Sequence, residues 1–222
     1  MSARDAILAR IRQRMPKGDG ETRRTAVAAR LSNPKRNLIP ARGEGNLAHR
    51  INVFTRYMET VGGTVDIVED ANAVPEAVAR HLRENNLPAA IRRGTDPLLA
   101  NLPWHRAPMI EVTEGPARDK DVASLSHAFA AAAESGTVIL TSGPENPTTL
   151  NFLPEMHIVV LEAQHLYGNY EEAWTRLREA YGPGRMPRAV NMISGPSRTA
   201  DIEQTIVRPA HGPKNMHVII VR

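Results

Sequence analysis

Apolar positions recur along this chain in two rhythms, one helical and one extended. Leu47, Ile51, Phe54, Met58 and Val61 follow one another at steps of four, three, four and three. That spacing puts them on one face of a helix, which Gly62-Gly63 ends. Thr64 to Val68 then alternates as a strand does. Val74, Ala77, Val78, His81 and Leu82 form a second helical stripe, and Leu87 to Ile91 a short strand. Val122, Leu125, Phe129, Ala132 and Ala133 predict a third helix face. Thr137 to Thr141 and His157 to Leu161 are short, β-branched apolar runs of the kind that strands buried on both faces carry. Tyr170, Ala173, Trp174, Leu177, Ala180 and Tyr181 predict a helix ended by Gly182-Pro183-Gly184. Ala189 to Ile193 and Met216 to Val221 complete the strands, with Ile202 to Val207 a further candidate. Alternation of helix and strand predicts a single α/β domain, residues 45–222, built as an open sheet with crossover helices.

The first 44 residues follow neither rhythm for long. Asp5 to Met15 predicts a short basic helix with Ile7, Leu8, Ile11 and Met15 on one side, broken by Pro16-Lys17-Gly18-Asp19-Gly20. An extended arm is expected around Asn33 to Glu44. Charge separates this segment from the rest. The formal net charge of +4 combines twelve Lys/Arg and four Asp/Glu in residues 1–50 with sixteen and twenty in residues 51–222. No aromatic residue lies in the first fifty, so a stacking surface for nucleic acid is missing where the positive charge is. Nucleic-acid binding is therefore disfavoured, and the arm is expected to dock on a neighbouring copy of the chain or on an acidic partner.

The chain has no cysteine, which removes disulfides, thiolate nucleophiles and any iron–sulfur cluster ligated by these residues. Charged residues from Arg4 onward interrupt any signal-peptide core, and no run approaches the roughly 20 apolar residues of a membrane helix. A soluble cytoplasmic protein is expected.

Three constellations can carry chemistry. Ser142-Gly143-Pro144 and Ser194-Gly195-Pro196 both follow predicted strands, and ligands of open α/β sheets gather beyond strand carboxyl ends. The two loops are expected to line one crevice, although turn chemistry alone also explains them. Ser197, Arg198, Thr199, Asp201 and Glu203, followed by His211-Gly212, bring two carboxylates to one face of a strand near an imidazole. Ordinary capping by Asp201 and pairing of Glu203 with Arg198 or Arg208 is the favoured reading of this group from the residues alone. Glu134, followed by Ser135, Gly136 and Thr137, is the sole carboxylate between Asp121 and Glu145. At the end of a predicted helix, where acids are unfavourable, it is a candidate base or nucleophile. The eight histidines show no ligand spacing, and no metal site is expected. Glycine-rich dinucleotide loops, the P-loop and the Gly-x-Ser-x-Gly elbow are absent.

The segments Ala132 to Pro144, Leu153 to Val160 and Ser194 to Glu203 through Pro213, in that order and spacing, resemble the LUD-domain family, and its lactate-utilisation protein C branch in particular, over residues 47–222. The resemblance implies a Rossmann-like open sheet of NagB/RpiA/CoA-transferase type, with helices on both faces. It also implies a role in oxidising L-lactate to pyruvate beside iron–sulfur partner proteins. A small carboxylate anion is then expected at the loops 142–146 and 194–203, where serine hydroxyls, exposed amides and Arg198 suit it. Glu134-Ser135-Gly136 resembles the glutamate before glycine of CoA transferases, but the further glycine-rich pattern is missing. A stand-alone acyl-CoA or sugar-phosphate transferase or hydrolase using Glu134 is the competing expectation.

Overall fold

The computed structural model describes residues 2–15, 19–33, 35–36, 38–197, 199–202, 205–207 and 212–222, apart from the side chains of residues 199–202 and 205–207. The chain divides into two units, residues 1–37 and Leu38–Arg222.

The first unit holds two helices. Helix α1 (Ala3–Arg14) opens on a capping box in which Ser2 and Asp5 each satisfy the other's backbone amide. Helix α2 (Gly20–Ser32) is capped by Asp19, whose carboxylate accepts from the amides of Glu21 and Thr22. Neither helix buries a side chain. Helix α2 has no apolar stripe in the sequence, because its cap and alanine-rich propensity define it and an apolar face does not.

The second unit is built on a six-stranded parallel sheet. Its strands are β1 (Thr64–Val68), β2 (Ala90–Arg93), β3 (Glu111–Glu114), β4 (Ala123–His127), β7 (Met156–Glu162) and β12 (Asn215–Val221), in the spatial order β1-β12-β7-β4-β2-β3. Both faces are covered. On β12, Met216, Val218 and Ile220 point to one side, where helix α3 (Leu47–Thr60) packs Ile51, Phe54 and Met58. Ile219 and Val221 point to the other, where helix α4 (Val74–Glu84) and the short α5 (Pro97–Ala100) pack Val74, Val78, Leu82 and Leu99. This two-sided burial explains why the strand sequences are nearly continuous in apolar residues.

A second, four-stranded sheet covers part of the α3 face. It is formed by β5 (Ala130–Ala132), β6 (Thr137–Thr141), β8 (Leu166–Tyr167) and β9 (Val190–Ile193), in the order β8-β5-β6-β9. Helix α6 (Tyr170–Tyr181) packs Ala173 against Ala130 and Ile139 of this sheet. Strands β10 (Thr199–Ile202) and β11 (Thr205–Val207) pair with each other. The expected helix over 122–133 is wrong: this stretch is β4 followed by β5. The hydroxyls of Ser124 and Ser126 disclose why, since on a central strand they are buried and reach Leu150 O and Asn151 Oδ1. A spacing that suits a helix face coincided here with two strands separated by a bend.

Candidate functional site at the topological switch point

From β1 the chain crosses to β2, moves outward to β3, then returns to β4 on the other side of β2 and continues through β7 to β12. The connections therefore diverge between β2 and β4. Crevices beyond the carboxyl ends of strands at such a switch point are where open α/β sheets hold ligands. A cleft of about 750 Å³ lies there, lined by Asp96, His127, Ser142, Gly143, Glu162, His165 and Arg176 among others.

Each side chain is placed by its element. Asp96 follows β2 and caps α5, its Oδ1 accepting from Leu99 N at 3.1 Å. Its Oδ2 lies 3.0 Å from Nδ1 of His127, the last residue of β4. Glu162 ends β7, with Oε2 3.3 Å from His127 Nε2 and 3.2 Å from His165 Nδ1. Four titratable groups thus form one chain, Asp96–His127–Glu162–His165. Arg176, on α6, donates from Nε to Phe129 O at 3.0 Å and lies over the Phe129 ring. It forms no ion pair among the described residues. Close approach of Gly94 to the Glu145 carbonyl, with no room for a Cβ, seats the 142–146 loop as the cleft wall. Ser142 is tied to Ala189 through both its amide and its hydroxyl.

The electrostatics separate the two histidines. Burial by itself would favour neutral His127, but Asp96 and Glu162 outweigh it and raise its pKa above the ordinary value. Burial likewise opposes ionised Asp96, yet the His127 bond and the amides of α5 bring its pKa below the usual carboxylate value. For His165, burial lowers the pKa and the Arg176 charge lowers it further, while Glu162 only partly compensates.

The residues singled out in the sequence do not share one crevice. Strands β6 and β9 are antiparallel, with Thr141 opposite Val190 and Val138 opposite Ile193. The two Ser-Gly-Pro loops therefore leave opposite ends of the pair. Ser142 and Gly143 line the switch-point cleft. Ser194 instead joins a hydroxyl cluster with Thr137, Ser135 and Tyr170, at 2.6 to 2.8 Å.

Glu134 lies beside this second group, only 4% exposed. Its Oε1 accepts from Tyr170 N at 3.0 Å, the first amide of α6. A carboxylate at a helix N-terminus is favourable, so the local conflict expected of a helix-end acid disappears. The reason is that Glu134 occupies a 3-10 turn between β5 and β6 and not the end of a helix. Gly136 takes φ 61° in that turn, with Tyr57 and Met58 leaving no room for a side chain. Gly195 (φ 115°) abuts Val61, and Gly212 abuts Ser197. Arg198, Glu203 and His211 lie outside the described residues. Thr199 and Asp201 belong to β10, their side chains likewise undescribed.

Asp96, His127, Glu162, His165 and Arg176 were missed. Each sits at a strand end or on a helix whose relevance appears only when the strand order is known. No group of three or more His, Asp or Glu among the described residues is placed to hold a metal ion. No helix among them is long and apolar enough to cross a membrane.

Comparison with known proteins agrees with this architecture. A crystal structure of a DUF162-family protein from Deinococcus radiodurans superposes with a TM-score of 0.59 at 21% identity, covering 81% of this chain and all of that one, which supports the fold. Lactate utilization protein C of Shouchella clausii is 38% identical over 89 residues, 40% of this chain and 39% of that protein. Its counterpart in a Geobacillus strain is 37% identical over 90 residues, 40% of this chain and 37% of that protein. An uncharacterised protein of Neisseria meningitidis is 35% identical over 99 residues, 45% of this chain and 42% of that protein. The aligned part spans about two fifths of the length of these relatives. The LUD-domain model matches residues 51–221, nearly the whole second unit, and the chain belongs to the LUD-domain family.

Proposed function

We propose that this protein is a cytoplasmic component of a system that oxidises L-lactate to pyruvate, and that its switch-point cleft holds a small carboxylate anion. The pathway assignment is supported by family membership and by the relatives named for lactate utilisation. The single observation that carries the anion reading is Arg176. This half-buried guanidinium is fixed by the carbonyl and ring of Phe129, has no carboxylate partner among the described residues, and faces a cleft at the ligand-binding end of the sheet. A guanidinium left unpaired in such a place suits a carboxylate, which it can bind through two parallel hydrogen bonds.

Because these 222 residues contain no cysteine, the thiolate-ligated iron–sulfur clusters of such a system reside on partner proteins. Glu134 is less suited to a covalent acyl-transfer role. One of its oxygens holds the α6 amide and the other is enclosed, so nucleophilic attack would require it to leave the helix it anchors. The test is complementation. A strain lacking the gene should fail to grow on L-lactate as sole carbon source, regain growth with the wild-type gene, and grow poorly with Arg176→Gln at equal protein level. Normal growth of the deletion strain would overturn the pathway assignment. Full rescue by Arg176→Gln would overturn the site.

A further inference from the structure

The cleft is larger than its anionic end needs. Its volume of about 750 Å³ is that of a site for a drug-sized ligand, and an acid as small as lactate takes up only a fraction of it. The residues beside Arg176 indicate what the remaining space suits. Ala180 stands one helical turn beyond Arg176 on α6 and lines the same cleft, so a methyl group leaves open what a larger side chain would fill. Tyr181 ends α6, and Phe129 lies in the bend between β4 and β5. Both are half-buried and line the cleft. Their ring centroids are 6.2 Å apart with planes inclined by 51°, so the two rings form a corner and do not close on each other as a parallel stack. The Arg176 guanidinium lies over the Phe129 ring at 4.7 Å from its centroid, which joins cation and aromatic wall in one unit. Ala128 and Pro144 add apolar surface to the same cleft.

We propose that this cleft takes a carboxylate that carries an aromatic ring: the acid group pairs with Arg176, and the ring lies against the corner formed by Phe129 and Tyr181. The assignment rests on the carboxylate reading above and names the ligand class more narrowly than that reading does. Inclined aromatic rings attract by setting the positive edge of one against the negative face of another. A corner of two rings offers a ligand ring an edge and a face together. An aliphatic chain of similar size gains burial there but lacks this contact. Lactate, with a methyl group where the ring would be, engages the guanidinium and leaves the corner empty.

The experiment is calorimetric titration of the intact protein with L-lactate, L-phenyllactate and L-leucic acid, which share one hydroxy-acid head and differ only in side chain. Phenyllactate should bind at least about tenfold more tightly than lactate, and more tightly than the branched aliphatic acid. Arg176→Gln should weaken all three. Tyr181→Ala should remove the advantage of phenyllactate over lactate, and Tyr181→Phe, which keeps the ring, should preserve it. Equal affinity of phenyllactate and lactate, or of phenyllactate and leucic acid, would overturn the aromatic assignment and leave the anion site standing. An advantage that survives Tyr181→Ala, or that vanishes in Tyr181→Phe, would do the same. Failure of all three acids to bind the wild type would overturn the carboxylate reading, and this proposal with it.

Discussion

His157 offers the sharpest link between burial and stability. It lies on the central strand β7, opposite Ser124 of β4, and is 0% exposed. Its Nε2 meets Ser126 Oγ at 3.1 Å, and its Nδ1 is enclosed without a partner among the described residues. Burial pushes its pKa down to about 3, because an imidazolium there would lose its hydration with no counter-charge in return. In the unfolded chain the same ring titrates at its ordinary value near 6.5. Between those two values the unfolded state binds a proton that the folded state refuses. Stability from this group is thus fully present above about pH 6.5 and is lost as pH falls toward 3, at a slope approaching about 1.4 kcal/mol per unit. Two units below the unfolded value, at pH 4.5, the loss is about 3 kcal/mol, a sizeable share of a typical domain's 5 to 15 kcal/mol. His157→Leu conserves approximate volume and removes the titration. Urea unfolding of both proteins at pH 4.5, 5.5, 6.5 and 7.5 isolates the effect, since other titrating groups cancel in the difference. The wild-type stability minus that of the variant should fall by about 2 kcal/mol from pH 6.5 to 4.5. A difference that stays constant over that range would refute the claim that a neutral imidazole is trapped in the sheet.

The hydrophobic contact of α3 with the sheet predicts that Phe54→Ala, at a side chain 0% exposed, costs about 3 to 5 kcal/mol in a denaturant titration. Gly43, packed backbone to backbone against Gly168, has no room for a methyl group; Gly43→Ala should lower stability by about 1 to 3 kcal/mol, read as a fall in Tm. Glu134→Gln keeps a hydrogen-bond acceptor for Tyr170 but removes the charge at the α6 N-terminus, so a loss of about 1 kcal/mol with lactate-dependent growth retained is expected. Loss of growth with unchanged stability would instead restore a chemical role to Glu134. Asp96→Asn removes the first counter-charge of His127, and imidazole titration by NMR should show the His127 pKa falling; an unmoved titration would mean that Glu162 alone sets it.

Long apolar runs made most of the sheet and its helices legible in the sequence. Strands β7 and β12 are buried on both faces, α3 and α4 each on one, and burial writes itself into residue spacing. The family was legible too, because its motifs lie in those same strands and the loops that follow them. The 122–133 stretch misled because small residues fit both rhythms, and only the buried serine hydroxyls separate them. The cleft itself was not legible. Asp96, His127 and Glu162 come from three strands that are adjacent only through the order β7-β4-β2, and no local pattern encodes that order. Conversely, Ser142 and Ser194 carry the same local motif and were expected together, yet antiparallel pairing of β6 and β9 sends them to opposite ends.

The most direct test of the account is whether the cleft binds a small carboxylate through Arg176. Isothermal titration of L-lactate into the wild-type protein and into Arg176→Gln, at pH 7.5 and matched fold by circular dichroism, measures this. The account predicts saturable binding to the wild type, weakened at least about tenfold in the variant, the loss expected for one charged hydrogen-bonding partner. Equal affinity in the two proteins, or no binding by the wild type at any attainable lactate concentration, would contradict it.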